Sequence, residues 1–223
     1  MSDPRLQMSS VSQASVLATN KVLRNTYALL SATLIFSALM ATVSTVLHVG
    51  HGTSLICSFA ALALIWFVLP RTAESAAGIA VVFAFTGLLG FGLGPVLNFY
   101  LNMTHGAQAI ATSLGGTAVV FIGLSGYALA TQRDFSFLGG FLFSGLMVVL
   151  LAALAGIFLN MPGLWLAINA AVILIFSGFI LFDTSRIING GVTNYVIATT
   201  SIYLSIYNIF ISLLHLVGFA GND

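Results

Sequence analysis

Seven apolar runs, each about as long as a bilayer is thick, constrain the fold of this chain more than any other feature. They lie at residues 27–47, 54–70, 77–99, 108–130, 137–159, 164–186 and 196–218. A membrane-spanning helix needs about 20 mostly apolar residues, whereas the strands of an outer-membrane barrel show alternating polarity over about ten residues. The sequence therefore predicts an all-α membrane protein, a bundle of seven transmembrane helices. A count of six would require one re-entrant run.

The overall composition excludes several classes of function. Hydrophobic residues make up 59% of the 223 positions and charged residues only 5%, whereas soluble domains are about 45–50% apolar. The net charge of +1 provides no basic surface for a phosphate backbone. The single cysteine, Cys57, cannot form an internal disulfide or a cysteine metal site. We therefore expect the lipid bilayer as the surroundings of the chain and no nucleic acid as a partner.

The basic residues predict the orientation in the membrane. Short cytoplasmic loops carry an excess of Lys and Arg. All such residues of this chain precede the first run or lie near the ends of even-numbered runs: Arg5, Lys21, Arg24, Arg71, Arg133 and Arg186. This pattern predicts a cytoplasmic N-terminus and, after seven crossings, a C-terminus (residues 221–223) outside.

Two segments follow from this topology. Residues 1–25 are predicted to be a flexible polar cytoplasmic tail, rich in Ser, Gln, Ala and Thr, because termini without packing partners are poorly ordered. Residues 26–220 are predicted to be the seven-helix transmembrane domain. The loops are too short to hold a soluble domain, so any activity must lie within the membrane or on the tail. The tail is either an unstructured overhang or a partner-binding segment.

Asp183 follows the apolar residues of the sixth run. A carboxylate at the centre of a membrane costs about 2.5–3.5 kcal/mol, so such acids usually face the interior of a bundle or a water-filled cavity. One interpretation is a local ion pair with Arg186, three residues further along the same helix. The alternative is a contact with Ser205 or Tyr207 in the seventh run, or with Arg71 after the second run.

A polar stripe marks the seventh run. Its members are spaced by four, three, four and three residues, which places them on one face of a helix: Ser201, Ser205, Asn208, Ser212 and His215. In lipid such a face must contact protein or water. It either forms hydrogen bonds between helices or lines a central cavity. The stripe together with Asp183, Arg186 and Arg71 is the candidate functional polar centre.

Glycines form a second pattern in the third run, where Gly87, Gly90 and Gly94 precede Pro95. Small residues at helical spacing allow close packing of helix backbones. The sequence of residues 92–95 could also interrupt the helix, as in transporters with discontinuous helices.

The sequence contains no arrangement of a nucleophile with a base, no phosphate-binding loop and no cluster of metal ligands. We therefore expect no catalytic residues, no cofactor and no metal site, and hence no enzymatic activity.

Five stretches of the sequence carry a resemblance to a known family. Residues 180–188 (ILFDTSRII) and 202–210 (IYLSIYNIF) resemble the signature of the Bax inhibitor-1 (transmembrane Bax inhibitor motif) family. Residues 134–140 (DFSFLGG) and 93–98 (LGPVLN) resemble the start of its fifth helix and part of its third helix. Residues 20–27 (NKVLRNTY) are similar to bacterial members that modulate the membrane-anchored AAA protease FtsH. The resemblance implies a seven-helix bundle with helix 7 at its centre.

Some members of this family are proton-sensitive calcium leak pathways, closed by two aspartates on helices 6 and 7 with a basic residue nearby. Asp183 matches the first aspartate, Ser205 stands at the position of the second, and Arg71 is the candidate basic residue. Two close carboxylates share a proton. A single carboxylate that faces a hydroxyl lacks this coupling between like charges.

The resemblance therefore implies a multi-pass protein of the bacterial inner membrane that modulates an FtsH-type protease complex and the turnover of its membrane substrates. The alternative function is a proton-sensitive calcium or other cation leak channel. Serine at position 205 favours the modulator, because the channel members carry an acid there.

Overall fold

The computed structural model describes residues 4–159 and 161–220. The regular elements of this part are helical, and seven of its helices are long and apolar enough to cross a membrane. The predicted fold class and the predicted number of spanning helices are thus confirmed. Residues 221–223, which the sequence predicts to lie outside, are not among the described residues, and neither are residues 1–3 of the tail.

The seven spanning helices follow one another with short connections. Their bounds are Pro4–Val46 (α1), His51–Ala63 with its continuation to Thr72 (α2), Ala76–Leu101 (α3), Gly106–Thr131 (α4), Leu138–Phe158 (α5), Pro162–Ile188 (α6) and Tyr195–Ala220 (α7). These connections leave no room for a soluble domain between the helices.

The first helix begins before the first apolar run. α1 starts at Pro4, and the flexibility of the polar tail, residues 1–25, stays a prediction. Residues 5–25 contain neither glycine nor proline, and Pro4 occupies the first turn, where proline is tolerated. Helix propagation from an already formed spanning segment costs little compared with nucleation. The helix therefore extends through the polar segment.

α2 continues past Pro70, the last residue of the second apolar run. A π-helical segment, Leu64–Val68, is followed by a last α-helical turn, Leu69–Thr72. Pro70 has no N–H group and would clash with the carbonyl four residues before it in a regular α-helix. The wider π turn, in which the Leu69 N–H donates to the Leu64 carbonyl, shifts the register just before this proline.

Two helices occupy the centre of the bundle. α7 packs against α1, α3, α4 and α6, as the resemblance implied for helix 7. α3 has an equally central place, since it packs against α1, α2, α4 and α7. By contrast, α2 contacts α3 and α5 contacts α6 as their only helical neighbours in the described residues.

The glycines of α3 allow its close approach to α1. A Cβ atom at Gly90 would collide with the backbone carbonyl of Ser37, and one at Gly94 would collide with the Ser44 side chain. α3 is continuous from Ala76 to Leu101 with Pro95 inside it, so of the two alternatives the structure has the packed helix and not the interrupted one. The glycines of α4 differ, because a Cβ at Gly115, Gly123 or Gly126 would meet nothing within 4 Å.

This difference predicts opposite effects of alanine substitution. Gly90→Ala is expected to destabilise the protein by about 1–3 kcal/mol, because overpacking forces the backbone of α1 away from α3. Gly123→Ala is the matched control and is expected to be neutral or slightly stabilising, since alanine favours a helix interior. Thermal unfolding of the detergent-solubilised protein measures both. Equal melting temperatures for the two variants would contradict the close packing of α1 on α3.

Candidate functional site

Three consecutive polar residues lie near the end of α6 and are almost completely buried. Asp183 is 7% exposed, and Thr184 and Ser185 are both 0% exposed. Neighbouring residues of an α-helix point about 100° apart. The three side chains therefore reach three different neighbours of α6, and we call them the α6 triplet.

Asp183 faces α7. The Ser201 hydroxyl donates a hydrogen bond to its carboxylate at an Oγ–Oδ2 distance of 2.5 Å. A charge-assisted hydrogen bond of this kind is shorter and stronger than one between neutral groups. The sequence suggested Ser205 or Tyr207 as the cross-helix partner. The Ser205 hydroxyl instead donates to the Ser201 carbonyl on its own helix at 3.2 Å.

Both arginines that were considered as partners of Asp183 form other contacts. The Arg186 guanidinium donates to the Gly191 carbonyl at 3.3 Å and lies over the Phe182 ring, 5.3 Å from its centroid. Arg71 donates to the Phe67 carbonyl at 2.6 Å within α2, and the backbone of α2 does not come close to that of α6 or α7 in the described part of the chain. The structure therefore separates Arg71 from Asp183.

The other two members of the α6 triplet contact α4 and the loop that follows it. Thr184 Oγ1 lies 3.4 Å from the Ser125 hydroxyl of α4. The Ser185 hydroxyl donates to the Arg133 carbonyl at 3.1 Å and accepts the Phe135 N–H at 2.8 Å. Sequence reasoning singled out only Asp183. The sequence feature that could have identified Thr184 and Ser185 is their position directly after Asp183, at the end of an apolar run.

The loop between α4 and α5 is also organised by a local hydrogen bond. The Ser136 N–H donates to Asp134 Oδ1 at 2.8 Å. Hydrogen bonds from Ser136 hold the pKa of the Asp134 carboxyl below its usual value, because they favour the charged form. The loop that Ser185 holds is therefore a turn with its own polar contacts.

The polar stripe of α7 lies along its interface with α6. At one end Ser201 contacts Asp183, and at the other His215 Nδ1 lies 3.3 Å from the Asn169 side-chain oxygen. Both pairs fit the same antiparallel register, because 14 residues separate the two contacts on each helix. Between them Ser205 and Ser212 are buried. His215 itself is exposed.

A cavity lies on the opposite side of α7. It has a volume of about 480 Å³ and is bordered by α1, α3, α4 and α7, with Tyr203, Ile206 and Phe210 among the α7 residues that line it. Tyr203 and Phe210 lie about 160–180° around the helix from the centre of the stripe, at about 100° per residue. The stripe therefore does not belong to the cavity lining, which is mostly apolar.

The Asn208 amide, which is also on the stripe, donates to the Leu204 carbonyl at 2.8 Å.

Further polar contacts join the central helix to the other half of the bundle. The Tyr203 hydroxyl lies 2.6 Å from the Ser37 hydroxyl of α1 and donates to the Thr86 carbonyl of α3 at 3.3 Å. Thr199 donates to the Thr26 carbonyl of α1 at 3.2 Å. Within the described residues no group of three or more His, Cys, Asp or Glu side chains is placed to hold a metal ion.

Comparisons with known proteins agree with this architecture. Residues 19–222 match the family model described as inhibitor of apoptosis-promoting Bax1. The chain is 53% identical over 219 residues to the Escherichia coli K12 protein named modulator of FtsH protease YccA, covering 98% of this chain and 99% of the relative. A second E. coli relative, equally similar, is named inner membrane protein YccA.

A more distant relative extends this similarity to another genus. An uncharacterised membrane protein of Vibrio cholerae is 48% identical over 207 residues, which covers 93% of each chain. The family match over the whole transmembrane region agrees with the seven-helix bundle and its central α7. The chain is a multi-pass membrane protein and belongs to the Bax inhibitor-1 family.

Proposed function

We propose that this chain is an inner-membrane protein that modulates a membrane-anchored AAA protease of the FtsH type and thereby the turnover of membrane substrates of that protease. The observation that carries the proposal is 53% identity over 98% of the chain to a relative named as a modulator of FtsH. The aligned region covers the whole bundle and is not confined to one part of it.

The architecture supports a binding role. The connections between helices are short, so a partner must be contacted by the helices within the membrane, by the loop ends or by the N-terminal part of α1. The relatives are named a modulator and an inner membrane protein. We propose that the chain acts by binding to the protease complex and has no enzymatic activity of its own.

Substrate turnover tests this proposal. Overproduction of the full chain is expected to slow degradation of a membrane substrate of the protease, because binding lowers the fraction of free protease. Pulse-chase labelling measures the half-life of the substrate, and co-purification from native membranes tests for the protease itself. A soluble substrate of the same protease is the internal control for an effect specific to membrane substrates. Unchanged half-lives on both overproduction and deletion would contradict the proposal.

We also propose that the polar centre is reduced to the contact between Asp183 and Ser201, with a structural role in joining α6 to α7. Support comes from the 2.5 Å hydrogen bond and from the 7% exposure of Asp183. A buried charged group that loses its partner keeps the full cost of its desolvation. Ser205, Asn208 and Ser212 then contribute to the packing of the helix interface, and Arg186 and Arg71 act elsewhere.

A double-mutant cycle tests the structural role. Ser201→Ala is expected to destabilise the protein by about 1.5–3 kcal/mol, the range for a hydrogen bond to a charged group. The loss should be smaller in an Asp183→Asn background, because the neutral amide needs less stabilisation. Ser205→Ala is the matched control, since its hydroxyl contacts only the backbone of its own helix in the described residues. Equal losses for Ser201→Ala in both backgrounds would exclude coupling of the two residues.

A cation leak remains the second candidate function, and the specific observation that favours it is a single buried acid between α6 and α7. The contact of this acid is a serine hydroxyl on α7, which lacks the like-charge coupling of two carboxylates. The cavity between α1 and α4 beside α7 is lined mostly by apolar side chains and lies on the face of α7 opposite to Asp183. These features favour the modulator over the channel.

Flux measurements separate the two candidates. Vesicles that contain the purified chain are expected to show no calcium flux above that of empty vesicles, and Asp183→Asn is expected to leave this result unchanged. The comparison is made over a pH range that brackets the ordinary histidine pKa of about 6.5. A flux that depends on pH and changes in Asp183→Asn would establish the leak channel instead.

A further inference from the structure

The cavity of about 480 Å³ beside α7 has no part in the proposed function and forms an elongated groove. Its floor is formed by α3 and α7, with Leu97, Tyr203 and Phe210 among the lining residues. Its two walls are formed by α1 and α4. The volume lies within the range of about 300–1,000 Å³ that is typical of small-molecule sites.

The groove opens sideways, toward the bilayer. The backbones of its walls α1 and α4 do not come close to each other in the described residues, although both pack against α3 and α7. The two walls meet through the rings of Tyr27 and Phe121, whose centroids are 6.0 Å apart. Leu114 at the α4 side is 55% exposed, and Ala38 and Ala118 at the two sides are also exposed. Ala41 and Phe210, at 6% and 7% exposure, lie deep in the groove. An occupant can therefore enter from the membrane without crossing a loop.

The lining selects an apolar occupant. It contains five hydroxyl groups, and four of them already form hydrogen bonds within the protein: those of Ser37, Tyr203, Thr42 and Thr117. The fifth belongs to Tyr207, whose ring stacks on Tyr203. Apolar cavities without convergent polar partners do not hold ordered water. Hydrocarbon is therefore the chemistry that matches the lining.

The length of the groove matches one lipid chain. The groove follows residues 34–42 of α1 and 110–121 of α4, which at 1.5 Å per residue corresponds to about 12–16 Å. This length is close to one leaflet of a hydrocarbon core about 30 Å thick. The groove therefore accommodates the part of an acyl chain that lies within a single leaflet.

We infer that the groove binds an acyl chain of a membrane lipid, from the leaflet on the side of the α1–α2 and α3–α4 loops. Residues 34–42 lie in the half of the first span that ends at Val46, and the lining residues 110–118 lie in the half of α4 that begins at Gly106, with Phe121 just past the middle of that helix. The chain fills the space between α1 and α4 and completes the packing around α7. This assignment is independent of the proposed protease partner.

Lipid retention in detergent tests the inference. Ala118 in the groove and Val148 on the exposed surface of α5 are each replaced by a photo-crosslinking amino acid in the full chain. After extensive detergent washing, illumination is expected to give an adduct of lipid mass at position 118 and none at position 148, because only the groove retains its lipid. Absence of a lipid adduct at position 118, or equal adducts at both positions, would overturn the inference. A protein-sized adduct at position 118 in intact membranes would also overturn it and would indicate a partner helix.

Native mass spectrometry provides a second measurement with a matched pair of variants. The wild-type chain is expected to retain one lipid, and Ala118→Trp is expected to lose it because the indole fills the mouth of the groove. Ala63→Trp, at an exposed position of α2, is expected to retain it. Retention of the lipid by both variants would refute the groove as its site. If Ala118→Trp does not fold, the crosslinking of the otherwise unchanged chain decides the question.

Discussion

Backbone polar groups inside the hydrocarbon region of a bilayer must find their partners within the protein, and burying a side-chain polar group without a hydrogen bond is costly. The arrangement around α7 follows from this constraint. The central helix carries hydroxyl groups on several faces, and each face contacts a different neighbour. Ser201 contacts α6, Thr199 contacts α1, and Tyr203 contacts both α1 and α3. A helix with so many directions of polar contact is stable only at the centre of a bundle, so its position is a consequence of its composition.

Asp183 is the most demanding case of the same constraint. Its carboxylate is buried at a helix interface and receives the Ser201 hydroxyl, while Thr184 and Ser185 hold the same turn of α6 against α4 and the α4–α5 loop. The cost of burying the charge is offset by a set of contacts that leaves this end of α6 little freedom. An acid held in this way fixes the register of α6 on α7, and the Asn169–His215 contact at the other end fits the same register.

The two sides of α7 have different chemistry, which bears on how the protein acts. The side that faces α6 is polar and closely packed, whereas the opposite side borders an apolar groove between α1 and α4. A modulator of a membrane protease must offer a stable surface within the bilayer. Lipid in the groove would support such a surface, since it fills a space that the protein itself leaves between two of its helices.

Much of this protein could be predicted from its sequence, because the bilayer imposes simple rules on length and polarity. The apolar runs gave the fold class and the number of helices, and the spacing of polar residues in the last run placed them on one face. The helical N-terminal segment and the π turn before Pro70 were not predicted, because helix propagation and local register depend on backbone geometry rather than on hydropathy.

The candidate site shows most clearly which features the sequence determines and which depend on the tertiary structure. Asp183 is conspicuous in the sequence as an acid beside a long apolar run, but its partner depends on the rotation and register of two helices far apart in the chain. A difference of one turn decides between Ser201 and Ser205, and periodicity alone does not distinguish residues on one stripe. The sequence by itself determined which polar residues must be buried and must find hydrogen-bond partners. Only the tertiary structure decided which of them meet, because contacts between helices are set by the packing of whole surfaces.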